Sequence, residues 1–144
     1  MWKIKKLEEL TNIELLEIFR LRVDTFMIEQ ERIYHEVDDN DKIAYHIFFQ
    51  NQDDKRITCY ARVFPINTHV TFGRVVISKE LRGQGHGDVL MENVLKVCRE
   101  RFSHKIIEIE AQEQVVPFYI KFGFKVVGDT FIFEGTPHQE MRLE

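Results

Sequence analysis

The stretch Val75-Val76-Ile77-Ser78-Lys79-Glu80-Leu81-Arg82-Gly83-Gln84-Gly85-His86-Gly87 says more about the chain than any other. Its first three residues are a continuous apolar run of the kind found where a strand is buried on both faces. Three alternate glycines follow, and from about Gly85 the pattern turns helical. Glycines let successive backbone amides converge without side-chain interference, and a helix start adds unpaired N–H groups at the positive end of its dipole. Such a loop can cradle a pyrophosphate, whereas a plain strand-to-helix turn needs fewer glycines. His86 lies inside the loop, where its backbone N–H counts for more than its ring. Two common phosphate signatures are excluded. No Lys-Ser or Lys-Thr follows the last glycine, as a P-loop requires, and Asp88 stands where the dinucleotide fingerprint has its third Gly or Ala.

Periodicity orders the rest of the chain around that segment. Trp2 to Lys6 reads as a first strand. Thr11 and Glu14 have capping-box spacing at the start of a helix from about 12 to 27, with Leu15, Leu16, Phe19, Val23, Phe26 and Met27 on its expected buried face. Residues 28 to 42 are irregular, with room for a short helix. Ala44 to Gln50 and Arg56 to Phe64 form a hairpin pattern, and Thr71 to Ile77 is the strand that feeds the glycine loop. The following helix, to about Phe102, buries Leu90, Val94, Val97, Cys98 and Phe102. Ile106 to Glu110 is a short strand. Pro117 suits the first turn of a helix that carries Phe118, Tyr119 and Phe122 and ends at Gly123. Val126-Val127, Phe131 to Phe133 and the Met141–Leu143 alternation supply final strands around a turn at Glu134-Gly135-Thr136-Pro137. The order β α β β β α β α β β predicts a mixed α/β domain with a central sheet of six to seven strands flanked by helices.

Composition bounds the function. The chain has 144 residues, 44% of them hydrophobic, enough for one domain with a real core. Twenty basic residues against 24 acidic give a net charge of −4, which excludes a general nucleic-acid grip. No apolar stretch approaches the roughly 20 residues of a membrane span. Met1 to Lys6 lacks the apolar block of a secretory signal, so a cytoplasmic location is expected. Cys59 and Cys98 are far apart, without a C-x-x-C, and read as packed thiols. His35-Glu36-Val37-Asp38-Asp39 narrowly misses the zinc motif H-E-x-x-H, and no third ligand is evident, so no metal is expected. The acidic run 38–41 lacks the glycine and terminal glutamate of a calcium loop.

The spacing Arg82-x-x-Gly85-x-Gly87 resembles the R/Q-x-x-G-x-G/A signature of the GNAT family of N-acetyltransferases, which opens a helix after a buried strand. About 30 residues on, Gln112 to Phe124 resembles that family's N/Q-x-x-A-x-x-F-Y-x-x-x-G-F block, with Val115 in place of the alanine. Further segments are similar to its ElaA-type branch: Arg20 to Val23, Phe26 to Gln30, Tyr34 to Asp38, His46, Tyr60 to Arg62, Gly73 to Val76 and Gly135 to His138. The likeness covers nearly the whole chain, 1–144, as a single domain.

The resemblance implies a GNAT fold and acetyl-CoA as cosubstrate. Arg82, Gly83, Gln84, Gly85, His86, Gly87 and Asp88 would hold its pyrophosphate, and its pantetheine would lie along Val75, Val76 and Ile77 like an added strand. The Val76 amide would polarise the thioester carbonyl, Gln112 would touch the pantetheine or the carbonyl edge, and Tyr119 would protonate the leaving sulfur. The implied acceptor is a primary amine of a small molecule or peptide, attacking directly in a ternary complex. Glu29 is the expected general base, with Asp38, Glu108 and Glu110 as alternatives. Glu29, Asp38, Arg74 and His138 are expected on the acceptor side, although Arg74 would equally serve to pair a carboxylate, and His46 and His138 to pack as polar groups. A monomer or homodimer is implied. Two other readings stay open: a non-catalytic acyl-CoA sensor, and a nucleotide-binding module that uses the same loop.

Overall fold

The computed structural model describes residues 1–144. Seven strands form one sheet: β1 (Trp2–Lys6), β2 (Tyr45–Gln50), β3 (Ile57–Ile66), β4 (His69–Ile77), β5 (Ile106–Gln112), β6 (Lys125–Phe133) and β7 (Thr136–Leu143). Their spatial order is β1-β2-β3-β4-β5-β7-β6. All neighbours are antiparallel except β4 and β5, which run parallel and are joined by helix α3 (His86–Arg101). Helix α1 (Asn12–Arg22) packs on β3 and β4, while the one-turn helices α2 (Asn40–Ile43) and α4 (Val116–Ile120) sit in the connections. The predicted element order and sheet are therefore those observed.

Two apolar clusters occupy opposite faces of the sheet. Leu90, Met91, Val94, Val97 and Cys98 of α3 pack on Ile107, Ile109, Ala111, Phe72 and Met141, as the helical spacing predicts. Ile18, Leu21 and Phe26 pack on Phe48, Ile57, Tyr60 and Val76 on the other face. Both thiols are free and buried, and burial pushes that of Cys98 up to about 12. The single tryptophan, Trp2, lies against Phe49 at the β1 edge, ring centroids 5.5 Å apart.

The first helix departs from expectation. Its capping box is present: Glu14 N–H donates to Thr11 Oγ1 at 3.1 Å, and Thr11 N–H donates to Glu14 Oε1 at 2.9 Å. Regular α-helix ends at Arg22, however, and Val23–Glu29 is a wider π-helical stretch. That change of pitch shifts the phase of the side chains. The buried face carries Glu14, Glu17, Ile18, Leu21, Arg22, Thr25 and Phe26, and Leu16, expected inside, is 52% exposed. Apolarity misled because three buried positions, Glu14, Glu17 and Arg22, are charged. Glu14 is held by Lys3 and Lys5 of β1 at 2.8 and 2.9 Å, and Arg22 by a network described below.

Two bulges interrupt the sheet. Val127 pairs with Glu140 and Phe131 with His138, so three residues of β6 oppose Gln139 alone. The Gln139 amide fills that gap by donating to the carbonyls of Val127 and Gly128 at 3.0 and 3.1 Å. This joins the two expected strand pieces into one. The second bulge lies in β4. Tyr60 pairs with Val76 but Arg62 with Gly73, leaving Arg74 and Val75 opposite Ala61. Arg74 adopts φ +52°, a left-handed conformation rare for a side chain of this size.

The Thr11 cap should contribute about 1 kcal/mol. Thr11→Ala is expected to lower the unfolding free energy by that amount, seen as a lower urea midpoint at unchanged slope in denaturation followed by circular dichroism.

Candidate functional site

Strands β4 and β5 pair only through His69–Ile106 and Val70–Ile107. Beyond these contacts β4 runs on to Ile77 and β5 to Gln112 without bridging, so a cleft opens between them. Carrying the register forward past the extra residue at Arg74 brings Gln112 level with Val76 across the gap. The glycine loop lies beyond the end of β4, at the open end of this cleft. Gly83 and Gly85 have φ of +78° and +85°, and a Cβ added to either would meet nothing within 4 Å. Gly85 is the N-cap of the 16-residue α3 and leaves the first-turn amides of that helix uncovered. The loop is therefore an open cradle whose backbone shape favours glycine and whose N–H groups suit an anion.

The side chains around the cradle are tied down. Arg82 donates through Nε to the Ile77 carbonyl at 2.9 Å and forks onto Glu29 at 2.7 and 3.1 Å. Gln84 donates to the Glu80 carbonyl, and Asp88 pairs with Lys121 at 3.1 Å. The Arg82 hydrogen bond holds the Glu29 carboxyl below the usual range. This fits poorly with the expectation that Glu29 is a general base, since a carboxylate stabilised in its charged form gives up affinity for a proton.

Tyr119 of α4 is buried among Phe72, Phe118 and Phe124, with ring centroids 5.3 to 6.0 Å away. Burial alone raises its hydroxyl above the ordinary phenol value, with no charge or hydrogen bond contributing. On the other side of the cleft, Gln112 donates to Gln30 at 3.2 Å and accepts from Gln114 at 2.7 Å. His138 is the cross-strand partner of Gln112 and of Phe131. Gln112 and His138 are thus brought together, whereas Glu29 stays with Arg82.

Asp38 and Arg74 fall into a group that the sequence reading did not assemble. Arg22 is fully buried and donates to Glu36 through Nε at 2.9 and 3.0 Å, and to Asp41 at 2.7 and 3.1 Å. Arg62 donates to Asp38 at 2.7 and 3.0 Å and to Asp41 at 3.0 Å. Arg74 pairs with Glu36 at 2.6 Å and approaches Asp38 at 3.7 Å. Three guanidinium groups thus balance three carboxylates. Tyr60 joins them through the His46 ring, Nδ1 to Oη 2.6 Å, and His46 Nε2 lies 3.0 Å from the Asp41 carbonyl. His46 is therefore a packed polar group, and Glu36 of the near-zinc motif is an arginine partner. Burial acts to raise Asp41, but Arg22 and Arg62 outweigh it and hold the carboxyl at about 2. Burial lowers His46. The available signal was the presence of arginines at 22, 62 and 74 inside a helix and two strands, where unpaired charge is prohibitively costly.

The chain matches the family described as acetyltransferase (GNAT) domain over residues 14–144. It belongs to the GNAT acetyltransferase family and is an acyltransferase. Its relatives lie in the UPF0039/ElaA branch. It is 38% identical to a UPF0039 protein of Schizosaccharomyces pombe, covering 91% of this chain and 88% of that one. Among solved structures, Escherichia coli ElaA superposes with a TM-score of 0.94 at 29% identity, covering 100% and 99% of the two chains. A Pseudomonas aeruginosa protein titled an acyl-CoA N-acyltransferase gives 0.92 at 31%, covering 99% and 97%. No helix is long and apolar enough to cross a membrane.

The buried network has a pH signature. A carboxyl depressed to about 2 contributes stability above the unfolded carboxylate range, near 3.8, and that contribution is lost as pH falls toward 2. The melting temperature should drop across this interval. Asp41→Asn should flatten the drop and cost about 3–5 kcal/mol at pH 7, because Arg22 and Arg62 stay buried with a partner missing. Thermal melts from pH 6 to pH 2 measure both.

Proposed function

We propose that residues 1–144 form one acetyl-CoA-dependent N-acetyltransferase domain, which moves an acetyl group to a primary amine of a small molecule or peptide by direct attack in a ternary complex. The observation that carries this reading is the cleft between β4 and β5, with its glycine cradle at the open end. When bound, acetyl-CoA supplies an activated acyl group on a thioester. The chain's own residues then have distinct tasks. Backbone amides of Gly83, Gln84, Gly85, His86, Gly87 and Asp88 hold the pyrophosphate at the N-terminus of α3. Arg82 braces the loop: its guanidinium is spent on Glu29 and the Ile77 carbonyl, which ties the π-helical stretch after α1 to the end of β4. In this role Glu29 is a positioning residue.

The freed edge of β4 offers the backbone groups of Val75 and Ile77 to the pantetheine arm, whereas the Val76 amide, expected to polarise the acyl carbonyl, faces Tyr60 of β3, in step with Ser78 N–H on the Thr58 carbonyl at 2.7 Å. Gln112 faces that edge from β5 and orients the same arm. Tyr119 keeps its proton at neutral pH because burial disfavours the phenolate, and it is the general acid for the departing sulfur. Asp38 and Arg74 line the acceptor side, where the partly exposed Asp38 carboxylate suits a cationic amine. The enzyme works as a monomer or homodimer.

Tyr119→Phe is expected to retain the thermal shift given by acetyl-CoA while kcat falls about 10²-fold or more. Gly85→Ala should reduce the shift itself, since alanine is strained at φ +85°. A mass-resolved screen of amines and peptides tests the reaction. Binding without acetyl transfer to any of them would make the domain a sensor, and stabilisation by a nucleotide alone would discard acetyl-CoA.

A further inference from the structure

His138 occupies a position that packing alone does not explain. Its ring is 6% exposed and lies between Phe131 and Phe133, with centroids 6.1 and 5.5 Å away. Nδ1 is 2.8 Å from the Thr136 carbonyl oxygen. A carbonyl only accepts, so Nδ1 carries the proton of the neutral ring and Nε2 is left with a lone pair. Nε2 has no partner in the chain, yet it is not one of the enclosed unpartnered side-chain atoms, so it opens to solvent. The β-turn that supplies the carbonyl is rigid in its own right: Glu134 and Gly135 have φ of +50° and +76°, the geometry of a tight hairpin. The ring is thus flanked by two phenylalanines and pinned at one nitrogen, with the other nitrogen bare.

The direction in which that nitrogen's strand row points follows from the sheet. Ile107, Ile109 and Ala111 of β5 belong to the cluster under α3, so alternation puts Glu108, Glu110 and Gln112 on the opposite face. Their partners on β7 are Arg142, Glu140 and His138. Val76 belongs to the cluster on that same opposite face, under α1. His138, Gln112 and Val76 therefore follow one another across the sheet, on the side where α1 covers β3 and β4 but leaves β5, β7 and β6 bare. The other titratable groups on this bare face are the cross-strand pair Glu110 and Glu140, Glu108 with Arg142 at 3.2 Å, Arg142 again at 3.7 Å from Glu140, His69 at 3.6 Å from Glu108, and Lys125 opposite Arg142. From β6 and the hairpin tip, Asp129 and Glu134 are exposed to solvent. Of the other candidate bases, Glu29 is committed to Arg82, Asp38 to Arg62 and Glu108 to Arg142, while Glu110, in no ion pair, stands opposite Glu140 and shares with it the task of attracting a cation.

From this geometry we infer that His138 Nε2 is the general base that takes a proton from the acceptor ammonium, with Glu110 and Glu140 drawing the cation onto the bare face of β5 and β7. The proton passes from the amine nitrogen to Nε2, giving an imidazolium that Glu140 and Glu110 stabilise. The freed lone pair attacks the acyl carbon, the carbon–sulfur bond breaks as the sulfur takes the Tyr119 proton, and the second proton on nitrogen returns to the tyrosinate. The inference rests on the N-acetyltransferase reading above.

His138→Asn tests it, because the Asn amide NH₂ can keep the bond to the Thr136 carbonyl while the basic nitrogen is lost. With acetyl-CoA and a panel of primary amines that includes spermidine and Gly-Gly-Gly, wild-type kcat/KM should rise with pH through the neutral range. The variant should fall about 10²–10⁴-fold at pH 7 and rise only as the free amine accumulates at higher pH. The deficit should narrow at alkaline pH, where the amine is already neutral, and the thermal shift from acetyl-CoA should be retained. Equal pH profiles in an active wild type and variant would overturn the role of His138 while leaving the acetyltransferase reading intact. No transfer by the wild type to any amine would instead remove that reading, and the base with it. Independently of turnover, ¹⁵N spectra of the histidine side chains should show the Nδ1–H tautomer at His138. The Nε2–H form would overturn the inference.

Discussion

One surplus residue in β4 shapes the sheet. Because Arg74 and Val75 face Ala61 alone, the strand bends at that point, and the bulge adds local twist. Pairing with β5 is already lost beyond Val70, so the last third of β4 keeps its bonds to β3 but turns its other edge to empty space. A parallel pair that continued to Gln112 would have no cleft and no use for a glycine cradle at its end. The conformation is costly, since a non-glycine residue at φ +52° carries strain of order 1–3 kcal/mol. Arg74 offsets it by setting its guanidinium on the Glu36 carboxylate and over the Tyr34 ring, 5.4 Å from the centroid.

Glu36 connects the bulge to everything on that face. It is shared between Arg74 and the fully buried Arg22, which also grips Asp41, and Asp41 in turn meets Arg62. Charges in an apolar interior are unfavourable unless each finds partners in good geometry. Here the irregular segment from Tyr34 to Asp41 brings the carboxylates, and α1, β3 and β4 bring the arginines. A chain segment with little regular structure is thereby fixed against the sheet by ion pairs instead of by apolar burial, and Val37 within it and Ile33 just before it remain exposed. The same economy appears at Glu29 and Arg82, where a single fork joins the end of the π-helical stretch to the loop that precedes α3.

Legibility in the sequence followed the range of the interaction. The glycine loop, the capping box at Thr11 and the Pro117-to-Gly123 helix are set by neighbours a few residues away, and their spacing announced them. The α3 face was readable because its environment is uniformly apolar. The buried arginines were not, because their partners lie 14 to 38 residues off and no local pattern links Arg22 to Glu36 or Arg74 to Glu36. The π-helical widening after Arg22 had no signal in propensity, and Leu16, in the regular helix before it, is exposed because the charged Glu14, Glu17 and Arg22 share the buried face with Ile18 and Leu21. The parting of β4 and β5 beyond Val70 is a matter of strand pairing that hydrophobic alternation cannot reveal. His138 was picked out as a candidate, but its pinned tautomer depends on a turn carbonyl and two flanking rings that only the folded hairpin supplies.

The placement of Trp2 sets what a spectroscopist will see. Its indole packs on Phe49 in the outermost pair of strands, with β2 and β3 between it and the cleft. Its emission therefore reports the fraying of β1 from β2, and it is nearly blind to events between β4 and β5. The four tyrosines divide differently, with Tyr119 in the wall beside the cleft and Tyr60 sealed in the charge network. An extrinsic reporter, or an indole introduced near the glycine loop, is the natural way to watch the cleft fill.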